Sequence, residues 1–110
     1  MSFNILWPAM RWPGDREIEI SSVGENNAIF HECYEDVADE EWATADALVT
    51  MDDVPETYRA KLEKCRVVVT PKVGFDNIDV KSWAERGMPV CNVPDYGTQE
   101  VADHAIALMM

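Results

Sequence analysis

Five short apolar runs alternate along this chain with longer segments that mix apolar and polar residues. The runs cover residues 4–7, 28–31, 47–50, 66–70 and 89–93. Nearly continuous apolar runs of this length are typical of strands that are buried on both faces of a parallel sheet. The pattern therefore predicts five strands in one parallel sheet.

Segments between these runs carry helix signals. The predicted helices cover residues 15–23, 39–45, 55–64 and 79–86. The first of them is ambiguous, because Glu17–Ile20 alternates like a strand, but a βα repeat favours a helix there. Asp79 or Asn77 is a candidate N-cap for the last of them, and Gly87 is suited to end it. The alternation predicts an α/β fold with a flavodoxin-like, doubly wound, parallel five-stranded sheet.

A fifth helix is predicted from Thr98, as its N-cap, to the end of the chain at Met110. Val101, Ala105 and Leu108 recur at helical spacing, and apolar residues also lie beside them. We expect this apolar surface to be covered, either by sequence that continues the helix or by a partner.

Composition and charge narrow the classes of function. The 110 residues are 47% hydrophobic and 27% charged, as is ordinary for a globular domain. There is no apolar run of the roughly 18–20 residues that a membrane span needs, and no signal-peptide pattern at the start. These features predict a cytoplasmic protein without a membrane partner. The net charge of −12 argues against nucleic acid as a partner, and an anionic substrate would need local donors.

The three cysteines, Cys33, Cys65 and Cys91, are widely spaced and follow no disulfide pattern. We interpret them as reduced thiols in the core. His31 and Cys33 form a His-Xaa-Cys pair, but zinc needs about four ligands and no second pair follows. The sequence therefore predicts no metal site.

The loop after the fourth strand is the main candidate site. Ligands of open α/β sheets bind beyond the carboxyl ends of the strands, where this loop lies. Backbone N–H groups of Val73 and Gly74 can form an anion-binding nest, and Lys72 adds a positive charge beside it. The alternative is that Gly74 only makes the turn, while Asp76 and Asn77 satisfy local backbone groups.

Other polar residues give weaker signals. Asp52 and Asp53 follow the third strand, as in a phospho-receiver domain, but the first strand ends in Trp7-Pro8-Ala9 and supplies no further carboxylate. We therefore interpret Asp52 and Asp53 as an N-cap pair for the helix at Pro55. His104 is interpreted as an interface or capping residue, since adjacent helical residues do not face each other. The chain contains no GxGxxG motif and no P-loop.

Three motifs together resemble one family. They lie within residues 67–79, 84–94 and 96–105. In this part the chain is similar to the D-isomer-specific 2-hydroxyacid dehydrogenases, and most of all to the branch of the C-terminal-binding-protein corepressors and phosphoglycerate dehydrogenases. The first 65 residues agree with the family only in the order of strands and helices.

The resemblance implies a two-domain enzyme whose active site lies in the cleft between the domains. Residues 1–97 would form the flavodoxin-like substrate-binding domain, and residues 98–110 would begin an interdomain helix that leads to an absent NAD-binding Rossmann domain. The complete enzyme would be a homodimer that transfers hydride from a D-2-hydroxyacid to NAD or NADP and yields a 2-oxoacid. The family's catalytic residues belong to the absent part, so the resemblance implies no catalytic residue here and no activity of the segment alone.

The resemblance also assigns residues to the cleft. Backbone N–H groups of Val73 and Gly74 would bind the substrate carboxylate, Val73 would also lie against the cofactor, and Thr98 and Val101 match positions near the hinge and nicotinamide. The family usually has Arg, any residue, then Gly where this chain has Thr70-Pro71-Lys72, so Lys72 either reshapes the pocket floor or adds a contact to a carboxylate. The rival hypothesis is a non-catalytic, flavodoxin-like module for binding or dimerisation, with the last helix as its partner surface.

Overall fold

The computed structural model describes residues 2–10, 16–72, 74, 76–93 and 98–110. Its strands form one five-stranded sheet in the order β2-β1-β3-β4-β5, and every neighbouring pair is parallel. The strands are β1 (Asn4–Trp7), β2 (Asn27–Phe30), β3 (Ala47–Val49), β4 (Val67–Val69) and β5 (Val90–Cys91). This order is that of flavodoxin-like folds. The predicted fold class is confirmed.

Five α-helices accompany these strands in the described residues. They are α1 (Glu17–Ser22), α2 (Asp39–Thr44), α3 (Glu56–Arg59), α4 (Val80–Glu85) and α5 (Thr98–Met109), and a short 3₁₀ turn spans Tyr34–Asp36. The helical interpretation of the ambiguous first segment is therefore confirmed. Helix α3 is much shorter than predicted, because the chain tightens after it into three-residue turns, with the Leu62 amide donating to the Arg59 carbonyl. Helix α5 begins at Thr98 itself, one residue earlier than an N-cap at Thr98 would place it.

Both ends of α4 form as the sequence predicts. The Asp79 carboxylate accepts a hydrogen bond from the Ser82 amide at 3.1 Å. At the other end Gly87 has a φ of +79°, and the amides of Gly87 and Met88 donate to the carbonyls of Ala84 and Trp83. This pair of bonds is a Schellman motif, in which glycine adopts the left-handed conformation at low cost.

The hydrophobic core lies on one face of the sheet. Leu6, Leu48 and Val68 point to that face from the three central strands and are fully buried. Trp42 of α2 and Trp83 of α4 cover them, and both indoles are also fully buried. Fully burying a large apolar side chain contributes roughly 1.5–3 kcal/mol, so these residues dominate the stability of the domain.

The opposite face of the sheet is only partly covered. Trp7 is buried on this face, but most of its side chains are only half-buried; they include Ile5, Ala47, Val49, Val67 and Val69. Helix α1 has no buried residue, and an open groove of about 280 Å³ separates it from β1 and β2. The prediction that the strands are buried on both faces is therefore wrong for this face within the described residues. The helices α2 to α4 pack on the first face, whereas every described side chain of α5 is exposed.

The cysteines are all free, but only one lies in the core. Cys65 is buried, and burial raises the pKa of its thiol. Cys33 and Cys91 are exposed, so their predicted core placement is wrong. Cys91 lies on the two-residue edge strand β5, where few neighbours cover it.

The described residues show neither a metal-ligand cluster nor a membrane-spanning helix. No three of their His, Cys, Asp and Glu side chains group as metal ligands would. None of their helices is long and apolar enough to cross a membrane.

Glu41 links α2 to the end of β2. Its carboxylate oxygens lie 3.0 and 3.1 Å from His31 Nε2, and one of them accepts a hydrogen bond from the Ala38 amide at 3.0 Å. Burial by itself would raise the pKa of Glu41, but the bond from Ala38 and the contact with His31 outweigh it. The pKa of Glu41 therefore lies below its ordinary value of 4.5.

Glu41→Gln is expected to lower the free energy of unfolding by about 0.5–1.5 kcal/mol near neutral pH. A carboxylate whose pKa is depressed by folding adds stability that is complete above its ordinary pKa of 4.5 and is lost as the pH falls through its folded-state value. The difference between wild type and variant should therefore shrink below pH 4.5. Urea unfolding across this range measures it, and a pH-independent difference would contradict the role of the Glu41 charge.

Candidate functional site

The loops that follow β3, β4 and β5 meet at the carboxyl edge of the sheet. The Thr50 amide donates to the Val69 carbonyl at 2.9 Å, and the Thr70 amide donates to the Cys91 carbonyl at 2.8 Å. Beyond them, the Val93 amide donates to the Lys72 carbonyl at 3.1 Å. The backbone that leaves β4 is therefore held on the β3 side at residue 69 and on the β5 side at residues 70 and 72.

Asn77 joins the loops after β3 and β4. Its Nδ2 donates to the Met51 carbonyl at 3.2 Å and to Asp52 Oδ1 at 3.0 Å. Its Oδ1 accepts a hydrogen bond from Lys72 Nζ at 2.8 Å. The amide of Asn77 thus serves as both donor and acceptor and fixes the position of the Lys72 side chain.

Asn77 was missed as a site residue, because sequence reasoning gave it only a local role. Its partners Met51 and Asp52 lie 26 and 25 residues away along the chain. An asparagine in a turn signals local hydrogen bonding, but nothing in the sequence indicates which distant loop its side chain reaches.

Gly74 leaves the backbone open after the anchored segment. The residue is exposed, and a Cβ atom built on it would meet no described atom within 4 Å. Packing in this domain therefore does not require a glycine here, whereas an approaching ligand or domain would benefit from the missing side chain. Val73 lies outside the described residues, so the predicted N–H nest stays a prediction.

The hydroxyl of Thr70 is a buried polar group at the same edge. Thr70 is fully buried at the end of β4, and its Oγ1 has no hydrogen-bond partner among the described residues. An unsatisfied buried hydroxyl costs about 1–3 kcal/mol. Sequence reasoning did not single out Thr70, although a polar residue directly after an apolar strand is the available signal.

Asp53, the second of the two carboxylates after β3, is held in a contact between two helices. Asp53 Oδ2 lies 2.6 Å from Arg59 Nη2, and Asp53 Oδ1 accepts a hydrogen bond from Trp83 Nε1 at 3.1 Å. Arg59 Nε donates to the Val54 carbonyl at 2.7 Å, and the guanidinium lies 4.4 Å from the centroid of the Trp83 ring. Asp53 therefore binds α3 to α4.

The predicted N-cap role of Asp52 and Asp53 is wrong. The N-cap position of α3 is taken by Pro55, which makes no side-chain hydrogen bond to the helix. Asp52 instead accepts a hydrogen bond from Asn77, and Asp53 forms an ion pair with Arg59. The carboxyl end of β1, with Trp7 and Pro8 buried, also lacks the acidic residues that a phospho-receiver site requires.

The predicted residues of α5 whose side chains the structure describes are exposed. Val101 is 71% exposed, and His104 is also exposed. Thr98 is the first residue of the helix, but its side chain lies outside the described part. Asp103 accepts a hydrogen bond from Gln99 Nε2 at 2.8 Å, in keeping with the expectation that it does not orient the adjacent His104. The cofactor roles of Val73, Thr98 and Val101 therefore stay predictions.

Known proteins resemble this chain in sequence. A glyoxylate reductase of Pyrococcus furiosus is 42% identical over 67 residues, which make up 59% of this chain but only 20% of that enzyme. A hydroxypyruvate reductase of Blautia hydrogenotrophica is 42% identical over 55 residues, or 47% of this chain and 17% of that enzyme. This chain thus corresponds to a small part of these curated relatives.

Solved structures share its fold. An NADPH-dependent glyoxylate/hydroxypyruvate reductase from Sinorhizobium meliloti, in complex with NADP and malonate, matches with a TM-score of 0.76 and 27% identity. The match covers 99% of this chain and 34% of that enzyme. A D-lactate dehydrogenase from Aquifex aeolicus, complexed with NAD and lactic acid, has the same fold, with a TM-score of 0.75 at 20% identity over 96% of this chain and 32% of that one.

One family pattern matches most of the chain. It is described as "D-isomer specific 2-hydroxyacid dehydrogenase, catalytic domain", and it covers residues 14–107. The match includes four of the five strands, β2 to β5, and the carboxyl-edge loops that hold Lys72 and Gly74. With the shared fold and the sequence relatives, it confirms the resemblance found in the motifs. This chain belongs to the D-isomer-specific 2-hydroxyacid dehydrogenase family.

Proposed function

We propose that this chain is the substrate-binding part of an NAD- or NADP-dependent oxidoreductase that acts on the CH–OH group of a D-2-hydroxyacid. Residues 1–97 are the substrate-binding domain, and residues 98–110 begin the interdomain helix. The observation that carries the proposal is the open backbone at Gly74, beside the tethered Lys72 and within the family match.

In the proposed site the chain holds the acid end of the substrate. The amides of Val73 and Gly74 bind the carboxylate, and Lys72 offsets the repulsion from a chain with a net charge of −12. Charge-assisted hydrogen bonds of this kind fix orientation as well as affinity. A bound nicotinamide cofactor would supply the hydride chemistry, and Val73, Thr98 and Val101 are the residues of this chain that would contact it.

Most of the cofactor site must come from another domain. This chain has no GxGxxG motif, so its own residues do not fit the pyrophosphate of NAD. The enzymes from S. meliloti and A. aeolicus were solved with NADP and NAD, and they are about three times as long as the part that this chain matches. The exposed apolar side chains of α5, such as Leu108 and Met109, support contact with such a domain.

Two further parts of the proposal concern the whole protein. We place it in the cytoplasm, in keeping with three free cysteines. We also propose a homodimer, with no nucleic acid and no membrane among its partners.

Assays of the full-length gene product test this function. Oxidation of NADH or NADPH with glyoxylate, hydroxypyruvate and pyruvate is expected, whereas the 110-residue segment alone should be inactive in the same assays. The full-length coding sequence should encode a strand, a GxGxxG loop and a helix after residue 110. A full-length protein that lacks this motif, or that reduces no 2-oxoacid, would refute the proposal.

The second candidate is a non-catalytic module for binding or dimerisation. The observation that favours it is the exposure of every described side chain of α5, among them Val101, Ile106 and Leu108. A stable, monodisperse 110-residue protein that binds neither NAD nor 2-oxoacids in calorimetry would favour this module. Aggregation of the isolated segment, with dehydrogenase activity only in the full-length protein, would favour the enzyme.

A further inference from the structure

We propose that Lys72 makes the complete enzyme prefer 2-oxoacids that carry a second carboxylate. This inference rests on the proposed function, because it assumes that the first carboxylate binds at Gly74. It adds the class of substrate, which neither the family nor the fold specifies.

The ammonium group of Lys72 is held in place at the carboxyl edge. Its Nζ donates to Asn77 Oδ1 at 2.8 Å, and Asn77 is itself bound to the Met51 carbonyl and to Asp52. The Lys72 carbonyl accepts from the Val93 amide at 3.1 Å. Both the backbone and the tip of this side chain are therefore anchored, two positions before Gly74. A lysine that is ordered before binding loses less entropy when it takes up an anion.

The charge of Lys72 is not neutralised by an ion pair in the described part of the chain. Four other cations have a carboxylate within 4.0 Å; the pairs are Arg59–Asp53, Lys61–Asp39, Lys64–Asp46 and Arg86–Glu56. Lys72 instead contacts the neutral amide oxygen of Asn77. An ammonium group has three donors, so two remain for an anionic ligand.

Asp52 limits how strongly Lys72 attracts a second carboxylate. Its Oδ1 accepts from Asn77 Nδ2 at 3.0 Å, so the Asn77 amide lies between the Asp52 carboxylate and the Lys72 ammonium. Asp52 therefore weakens the field at Lys72 without pairing with it. A dianion is repelled by the overall charge of −12 more strongly than a monoanion, so its binding depends more on the local cation.

The experiment compares two substrates of nearly equal size in the full-length enzyme. Oxaloacetate has a carboxylate where 2-oxobutyrate has a methyl group, and kcat/KM is measured for both with the preferred reduced cofactor. The measured quantity is the ratio of kcat/KM for oxaloacetate to that for 2-oxobutyrate. Lys72→Met removes the charge and keeps the length of the side chain, whereas Lys72→Arg keeps the charge. A second pair, 2-oxoglutarate and 2-oxovalerate, is one methylene group longer and shows how far from the keto group a second carboxylate can lie and still be favoured.

Wild type is expected to favour the dicarboxylic member of at least one pair. Lys72→Met should lower the ratio by about 10- to 100-fold, the range for a hydrogen bond to a charged group. Lys72→Arg should keep most of the preference. Asp52→Asn keeps an acceptor for Asn77 and removes the negative charge. It should raise the ratio by about 2- to 5-fold, which is the size of effect that an exposed charge has on a neighbouring charge.

An enzyme that reduces 2-oxoacids with an unchanged ratio in Lys72→Met would overturn the inference and leave the proposed function standing. An equal loss for both substrates would do the same, since it would show that Lys72 acts on the carboxylate that both substrates share, or on the loop, and not on a second carboxylate. If wild type reduces no 2-oxoacid at all, the proposed function fails, and the inference fails with it.

Discussion

Gly74→Val in the full-length enzyme is expected to lower kcat/KM for 2-oxoacids by at least about 100-fold, or roughly 2.7 kcal/mol of binding in the transition state. The valine side chain would stand where the substrate carboxylate approaches the backbone. The free energy of unfolding should change by less than about 1 kcal/mol, because a Cβ at this position meets no described atom within 4 Å. Steady-state kinetics and urea unfolding of the same preparations measure the two quantities.

Two glycine variants serve as controls for this result. Gly74→Ala adds a single methyl group and should give an intermediate loss of activity. Gly87→Ala should lower stability but not activity. Gly87 has a φ of +79° at the end of α4 and lies away from the site. It should cost about 1 kcal/mol of stability and leave the activity per folded molecule unchanged. Wild-type kinetics in Gly74→Val would rule out backbone binding of the carboxylate, and a large loss of stability would make Gly74 a residue of the turn alone.

Asp53→Ala is expected to lower the free energy of unfolding by about 2–4 kcal/mol, the largest effect on stability that we expect for a polar residue of this domain. The reason is that Arg59 is only 7% exposed in its side chain and would keep its charge without the carboxylate 2.6 Å away. The Trp83 indole would also lose its acceptor. Urea or thermal unfolding measures the loss.

Matched variants separate the buried contact from a general effect of charge. Asp39 forms an ion pair with Lys61, but its side chain is 82% exposed, so Asp39→Ala should cost less than about 1 kcal/mol. Replacing Arg59 by methionine in the Asp53→Ala background should recover part of the loss, because it removes the unpaired charge. An equal loss of stability in Asp53→Ala and Asp39→Ala, or no recovery in the double variant, would show that the contact of Asp53 with Arg59 and Trp83 is solvated.

The sequence by itself determined the class of the fold and much of its local structure. The spacing of apolar runs placed all five strands within a few residues, because buried strands need apolar side chains wherever they pack. The ends of α4 were also readable, since Asp79 and Gly87 act on backbone groups within a few residues of themselves. The motifs around Gly74 identified the family, which the match over residues 14–107 bears out.

Only the tertiary structure decided how the polar residues at the edge of the sheet are used. Asp53 was expected to cap α3, but it binds Arg59 and Trp83, and Asn77 was expected to bond locally, but it reaches the loop after β3. These partners are 6 to 30 residues away, and their proximity follows from the parallel strand order, which brings the ends of β3 and β4 together. The local sequence pattern determines the hydrogen bonds between residues that lie within a few positions of each other. Bonds between loops depend on which strands are neighbours, and that depends on the packing of the whole domain.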